Sequence, residues 1–220
     1  MNIKLYAADI NELNNEEVFM SLMEEVDEER RSKVNRLIPE KGKKLSLAAG
    51  VLMRQALKAE GLTEYTIEKR ENDKPYIAGR DDIYFNLSHS GEVVVCAVSP
   101  VEVGCDIELI KEDRPRIAQR FFTEEEQEFS SGSKENFYRM WTLKESFMKV
   151  TGKGLQLPMR DYSINMSAKI TVKQNVDGRQ YFFKEIFDFT GYACSVCTAD
   201  IAPEDITLIR TELNMDKYLK

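Results

Sequence analysis

The sequence predicts an α+β protein. Short segments alternate apolar and polar residues, as half-buried strands do, and longer ones repeat apolar residues at i, i+3, i+4 and i+7, as one face of a helix does. Both kinds occur in each half of the chain, without the regular strand–helix alternation of a parallel α/β sheet.

The elements follow in order. Asn2 to Ala8 is a strand candidate, and Glu16 to Val26 is helical, with Val18, Leu22, Met23 and Val26 on one face. Arg30 to Lys44 is strongly basic, seven cations to one acid, Glu40. A second helix follows, with Leu45, Ala48, Ala49, Leu52 and Ala56 in helical register and Gly61 as its stop. Ile83 to Ser88 alternates, with Ile83, Phe85 and Leu87 on one side. His89-Ser90-Gly91 then reads as a turn into Val93 to Val98, an apolar run of the kind buried on both sheet faces, and a third strand spans Val101 to Glu108.

In the second half, Thr123 and Glu126 have capping-box spacing. A longer helix runs from Ser133 to Val150 and ends at Gly152. Strand candidates at Tyr162–Asn165, Ile170–Gln174, Tyr181–Phe189 and Tyr192–Thr198 predict a largely antiparallel sheet. No repeat or low-complexity tract is visible.

The chain has 220 residues, enough for one large domain or two small ones, and its 42% hydrophobic and 31% charged residues are ordinary for a soluble globular protein. No apolar run approaches the roughly 18 residues of a membrane span, and the first residues lack the basic-then-apolar pattern of a secretory signal, so no membrane and a cytoplasmic address are expected. A net charge of −7 disfavours wholesale nucleic-acid binding, although the basic segment keeps a local anion-attracting patch. The four cysteines are expected to be reduced and in the core. Cys194 and Cys197 lie three apart in an extended segment and so face opposite sides, and a single histidine cannot complete a zinc site with them.

Two constellations carry chemistry. In Gly104-Cys105-Asp106-Ile107-Glu108 the alternation puts both carboxylates on one face, where a hard divalent cation would relieve their repulsion and Gly104 would leave room for a ligand. Two solvated acids on an exposed strand are the alternative. In the helix Phe137 to Val150, Met140, Leu143, Phe147 and Val150 form an apolar stripe, while Glu145 and Lys149 form an i, i+4 pair on the opposite side. That pair would otherwise be a surface ion pair, but Trp141 and Met148 beside Glu145 point to a cleft. His89, flanked by Ser88 and Ser90, is a turn residue or a hydrogen-bond donor to a phosphate.

Five blocks together resemble the Sfp-type phosphopantetheinyl transferases. They are Phe85-Asn86-Leu87-Ser88-His89-Ser90, Val103 to Glu108, Arg120-Phe121-Phe122, Trp141 to Lys149, and Gly152-Lys153-Gly154-Leu155, in the family's order. The resemblance implies two similar α+β halves, residues 1–104 and 105–220, related by a pseudo-two-fold axis with the active-site cleft between them. It implies that Asp106, Glu108 and Glu145 ligate Mg²⁺ with the coenzyme A pyrophosphate and that Ser88 and His89 contact coenzyme A phosphates. Lys74 would lie beside the nucleotide, Arg30, Lys33 and Ser46 would bind its ribose phosphate, and Lys149 would hold the phosphate and protonate the departing nucleotide.

The implied reaction is attack by a serine of an apo acyl or peptidyl carrier protein on the β-phosphorus of coenzyme A, expelling adenosine 3′,5′-bisphosphate, with Glu145 as general base. A monomer is expected. Arg114, Arg116 and Arg120 would help dock an acidic carrier. Two departures stand out: Asp73 precedes Lys74 where glycine is common, and Ile107 offers no third carboxylate on its strand. The competing readings are another Mg²⁺-dependent phosphoryl-transfer enzyme and a non-catalytic carrier- or anion-binding module.

Overall fold

The computed structural model describes residues 2–70, 72–203 and 205–213. The side chain of Leu155, which ends the fifth sequence block, and residues 214–220 of the expected second half lie outside them.

The fold is α+β. Its first part runs β1 (Asn2–Asp9), α1 (Glu16–Glu25), α2 (Glu28–Arg36), α3 (Glu40–Ala59), β2 (Ile67–Lys69), β3 (Pro75–Ile77), β4 (Tyr84–Ser90) and β5 (Val93–Ser99). The second runs β6 (Val103–Leu109), α4 (Pro115–Phe121), α5 (Glu124–Ser130), α6 (Lys134–Thr151), β7 (Ser163–Met166), β8 (Ile170–Lys173), β9 (Tyr181–Glu185) and β10 (Tyr192–Ala199). Strand, three helices, a short hairpin and two strands thus occur twice. The sheets repeat too, as β1-β5-β4 and β6-β10-β9, each antiparallel. The last strand, β11 (Asp205–Arg210), returns to pair in parallel with β1.

Each sheet is covered on one face by its long helix. Leu47, Ala48, Val51 and Leu52 of α3 pack with Val94 and Cys96, while Met140, Leu143, Phe147 and Val150 of α6 pack with Ala193 and Cys197. The opposite faces form a third core, where Leu5, Ala7, Val95 and Ala97 meet Val103, Cys105, Ile107 and Val196. β5 is therefore buried on both faces, which its continuous apolar run required. All four cysteines are free and buried, with Cys194 in the third core and Cys197 under α6. Among the described residues no helix is long and apolar enough to cross a membrane.

Two sequence expectations are corrected. His89 and Ser90 do not form a turn: β4 continues in register to Ser90 opposite Val93, and the reversal falls at Gly91, with φ 58°. Gly104 does not leave space for a ligand. A Cβ there would meet Ser146 O at 2.1 Å and the Val150 amide nitrogen at 2.5 Å, so the missing side chain lets β6 lie directly against the backbone of α6.

Candidate active site

The motif residues converge where β4 and β6 run side by side. No backbone ladder joins them. Instead side chains of β4 take the N–H groups that β6 turns away from β10: Asn86 Oδ1 accepts from Cys105 N–H at 2.9 Å, Ser88 Oγ from Ile107 N–H at 3.4 Å, and Ser90 Oγ from Leu109 N–H at 3.1 Å. Period-two alternation on both strands puts the three acceptors opposite the three donors.

The remaining hydrogen-bonding capacity of the serines goes to the paired acids. Ser88 Oγ donates to Asp106 Oδ1 at 2.7 Å, and Ser90 Oγ donates to Glu108 Oε2 at 2.6 Å. From α6, Lys149 Nζ reaches Asp106 Oδ1 at 2.6 Å, and Ser88 Oγ and the Cys105 carbonyl at 3.1 Å each. Asp106 is only 4% exposed, and its second oxygen, Oδ2, is buried without any partner. A carboxylate oxygen left bare in the interior is costly unless something outside the chain completes it.

Charge is concentrated here. Burial, with the charge of Asp106 and then of Glu108, raises the Glu145 carboxyl to about 7 against the opposing pull of Lys149. Burial also raises Glu108, partly countered by the Ser90 hydrogen bond and reinforced by Asp106. Burial disfavours the Lys149 ammonium, but Asp106, by charge and hydrogen bond, together with Cys105 and Glu145 outweighs it and holds the lysine above its ordinary range. Among the described residues no three His, Cys, Asp or Glu side chains form a ready-made metal cage.

A basic wall flanks this cluster. Arg30 of α2 lies across Gly50 of α3, where a Cβ would come within 2.9 Å of Arg30 Cγ, and donates to the Ser46 carbonyl at 3.4 Å. The Ser46 hydroxyl is buried without a partner. Burial lowers both Arg30 and Lys33, and Arg30 and Lys69 lower Lys33 further, so the cations crowd one another. His89, next to last in β4, is held below the usual imidazole value by partial desolvation of its ring, with Lys149 and Lys33 adding to the effect. Lys74 donates to the carbonyls of Val150 at 2.9 Å and Val103 at 3.4 Å, and burial pushes it down to about 8.

Comparison with known proteins shows the family. A family model described as 4′-phosphopantetheinyl transferase superfamily matches residues 102–197, and one described as 4′-phosphopantetheinyl transferase, N-terminal, matches residues 14–101. A 4′-phosphopantetheinyl transferase of Bacillus subtilis is 35% identical over 188 residues, covering 81% of this chain and 84% of the relative. The chain belongs to the 4′-phosphopantetheinyl transferase superfamily, as an Sfp-type member. The Sfp enzyme of Bacillus subtilis (strain 168) is 31% identical, covering 89% of this chain and 91% of its own, and gsp of Aneurinibacillus migulanus is 32% identical, covering 89% and 86%. The holo-[acyl-carrier-protein] synthase of Thermotoga maritima superposes on 46% of this chain and 63% of its own with TM-score 0.40 at 20% identity, too partial a likeness to bear on the fold.

The residues expected from the phosphopantetheinyl transferase motifs fall into two groups. Ser88, Asp106 and Lys149 touch, with Glu145 close enough for Asp106 and Glu108 to raise it; Arg30, Ser46 and Lys33 gather on α2 and α3, linked to His89 through the field of Lys33. Lys74 stands apart, turned to two backbone carbonyls. Asp73 before it takes φ 59°, so the left-handed turn that glycine would give is kept. Trp141 lines a pocket with Glu108, Leu109, Arg114, Phe137 and Tyr138, which Glu145 itself does not line, and Met148 is buried in the core.

Sequence reasoning missed the second serine, Ser90, and the buried partner of the motif's first lysine. Lys144 Nζ bonds both carboxylate oxygens of Glu126 at 2.7 Å and the Tyr162 carbonyl at 3.1 Å, and both charged side chains are 0% exposed. The capping-box spacing found Glu126, but its second role depends on a contact across 18 residues.

Proposed function

We propose that this protein transfers the 4′-phosphopantetheine group of coenzyme A to a serine of an apo acyl or peptidyl carrier protein, with Mg²⁺, releasing adenosine 3′,5′-bisphosphate. The observation that carries the proposal is Asp106: a buried carboxylate with one oxygen on Lys149 and the other unpartnered, between two further acids of raised pKa. Asp106, Glu108 and Glu145 present hard oxygen donors, and Mg²⁺ is ordinarily held by one or two carboxylates with phosphate oxygens and water, so a three-ligand cage is not needed. When bound, the ion would neutralise charge developing on the phosphoryl oxygens.

The chain's own groups supply the rest. Lys149, kept protonated by Asp106, places a positive charge beside the pyrophosphate and has a proton for the departing nucleotide. Glu145, one turn before Lys149 on the same face of α6, would accept the proton of the carrier serine. Arg30, Lys33, Ser46, Lys74 and His89 form the coenzyme A side of the site, while the Ser88 hydroxyl, expected there too, is taken up by Asp106, Ile107 and Lys149. Arg114, Arg116 and Arg120, all exposed or near the Glu108 pocket, are offered as the docking face for an acidic carrier.

The repeated element order supports two halves about a pseudo-two-fold axis, with the break between β5 and β6, a few residues before the expected 104/105 boundary, the β4–β6 junction as the floor of the cleft and β11 crossing back to the first half. The protein is read as a cytoplasmic monomer. Released adenosine 3′,5′-bisphosphate, followed by chromatography, tests the reading. Asp106→Asn and Glu145→Gln should each lower release by about 10²-fold or more, and unchanged turnover in both would contradict it.

A further inference from the structure

The hydroxyls of Ser88 and Ser90 have an arrangement that nucleotide binding alone does not explain. Ser88 Oγ donates its one proton to Asp106 and accepts from Ile107 N–H and Lys149 Nζ, which fills both lone pairs. Ser90 Oγ donates to Glu108 and accepts from Leu109 N–H. Each serine therefore grips β6 twice, at the backbone and at the carboxylate one residue before. Asn86 grips it at the Cys105 backbone N–H and touches no carboxylate.

We infer that Ser88 and Ser90 are positioning residues: paired hydroxyls on β4 set the orientation of the Asp106 and Glu108 carboxylates and so tune divalent-cation binding. The alternation Asn86-Leu87-Ser88-His89-Ser90 follows from this. Every second side chain must close a gap in the β6 hydrogen-bonding edge, and only those opposite the acids must also donate. Without the hydroxyls, Glu108 would lose its hydrogen bond from Ser90 and Asp106 would be held by Lys149 alone, and the repulsion between the carboxylates would favour rotamers that point apart. Hydrogen bonds that orient metal-ligating groups typically contribute 10–100-fold to metal affinity.

The cation in this inference is the one assigned by the transferase reading, and the experiment separates the two. Mn²⁺ is titrated into the full-length protein and free ion is read by electron paramagnetic resonance, without coenzyme A or carrier. Wild type is expected to bind, Ser90→Ala about 10-fold more weakly, and Ser90→Thr, which restores the hydroxyl, close to wild type. Ser88→Ala should weaken binding at least as much; if it does not fold, Ser90, which is partly exposed, still decides the matter. Asn86→Ala should lower the melting temperature but leave Mn²⁺ affinity unchanged, because it loosens the same seam without touching an acid. No Mn²⁺ binding by wild type, in a second titration with coenzyme A present as well as without it, would overturn the transferase's cation site and this inference with it. Wild-type affinity in Ser90→Ala, or an equal loss in Asn86→Ala, would overturn only the positioning role.

Discussion

Replacing Glu126 by glutamine tests how α6 is anchored. Glu126 and Lys144 are both fully buried, and Glu126 also accepts from the backbone N–H groups of Thr123 at 2.8 Å and Ile164 at 2.7 Å. Lys144 lies 4.3 Å above the Tyr162 ring centroid, which adds a cation–π contact but no counter-charge. Burial lowers the Lys144 pKa, and Glu126 opposes that shift. Glu126→Gln preserves shape and some acceptor capacity but strands the ammonium, and breaking a buried pair in this way costs about 3–5 kcal/mol. For a chain of this size that corresponds to a melting-temperature drop of roughly 6–20 °C. Urea unfolding of Glu126→Gln, Lys144→Met and the double variant closes a cycle in which the double should cost less than the sum of the singles by about 2–3 kcal/mol. A single-variant cost under about 1 kcal/mol, or strict additivity, would show that the pair is not the charge lock described here.

Glu145 has a pH signature. A carboxyl raised from 4.5 to about 7 binds its proton more tightly in the folded protein, so its stabilising contribution is present below pH 4.5 and lost as pH rises to about 7. Glu145→Gln should therefore gain on wild type by about 2–3 kcal/mol between pH 4.5 and 8 in metal-free buffer, after allowance for its partial exposure, and parallel stability curves would contradict the shift. Gly104→Ala should cost at least about 2 kcal/mol by forcing β6 off the α6 backbone; a loss below about 0.5 kcal/mol by urea unfolding would show that the close approach is not needed.

The elements most legible in the sequence were those with a strong local period. The stripe Met140, Leu143, Phe147 and Val150 marked α6 and left Glu145 and Lys149 on the other side, and Gly152 ends the helix with φ 68°. α2 was hidden because its nine residues bury only Val34, so it reads as a charge run, yet that run is what carries Arg30 and Lys33. β11 carried no mark of its destination, since pairing with β1 joins residues some two hundred positions apart. Within the site, the spacing of Asp106 and Glu108 showed two acids on one face, but not that Ser88 and Ser90 hold them. Hydrogen bonds between β4 and β6 belong to the packing of two sheets, and no local period encodes them. Gly104 was misread for the same reason: its neighbour is a helix some forty residues downstream.

The central claim is tested most directly by the intact mass of an apo carrier protein after incubation with this protein, coenzyme A and Mg²⁺, with and without chelator. The account predicts a gain of one phosphopantetheine mass on the carrier serine that chelator abolishes; no gain on any acyl or peptidyl carrier, with the protein shown to be folded, would contradict it.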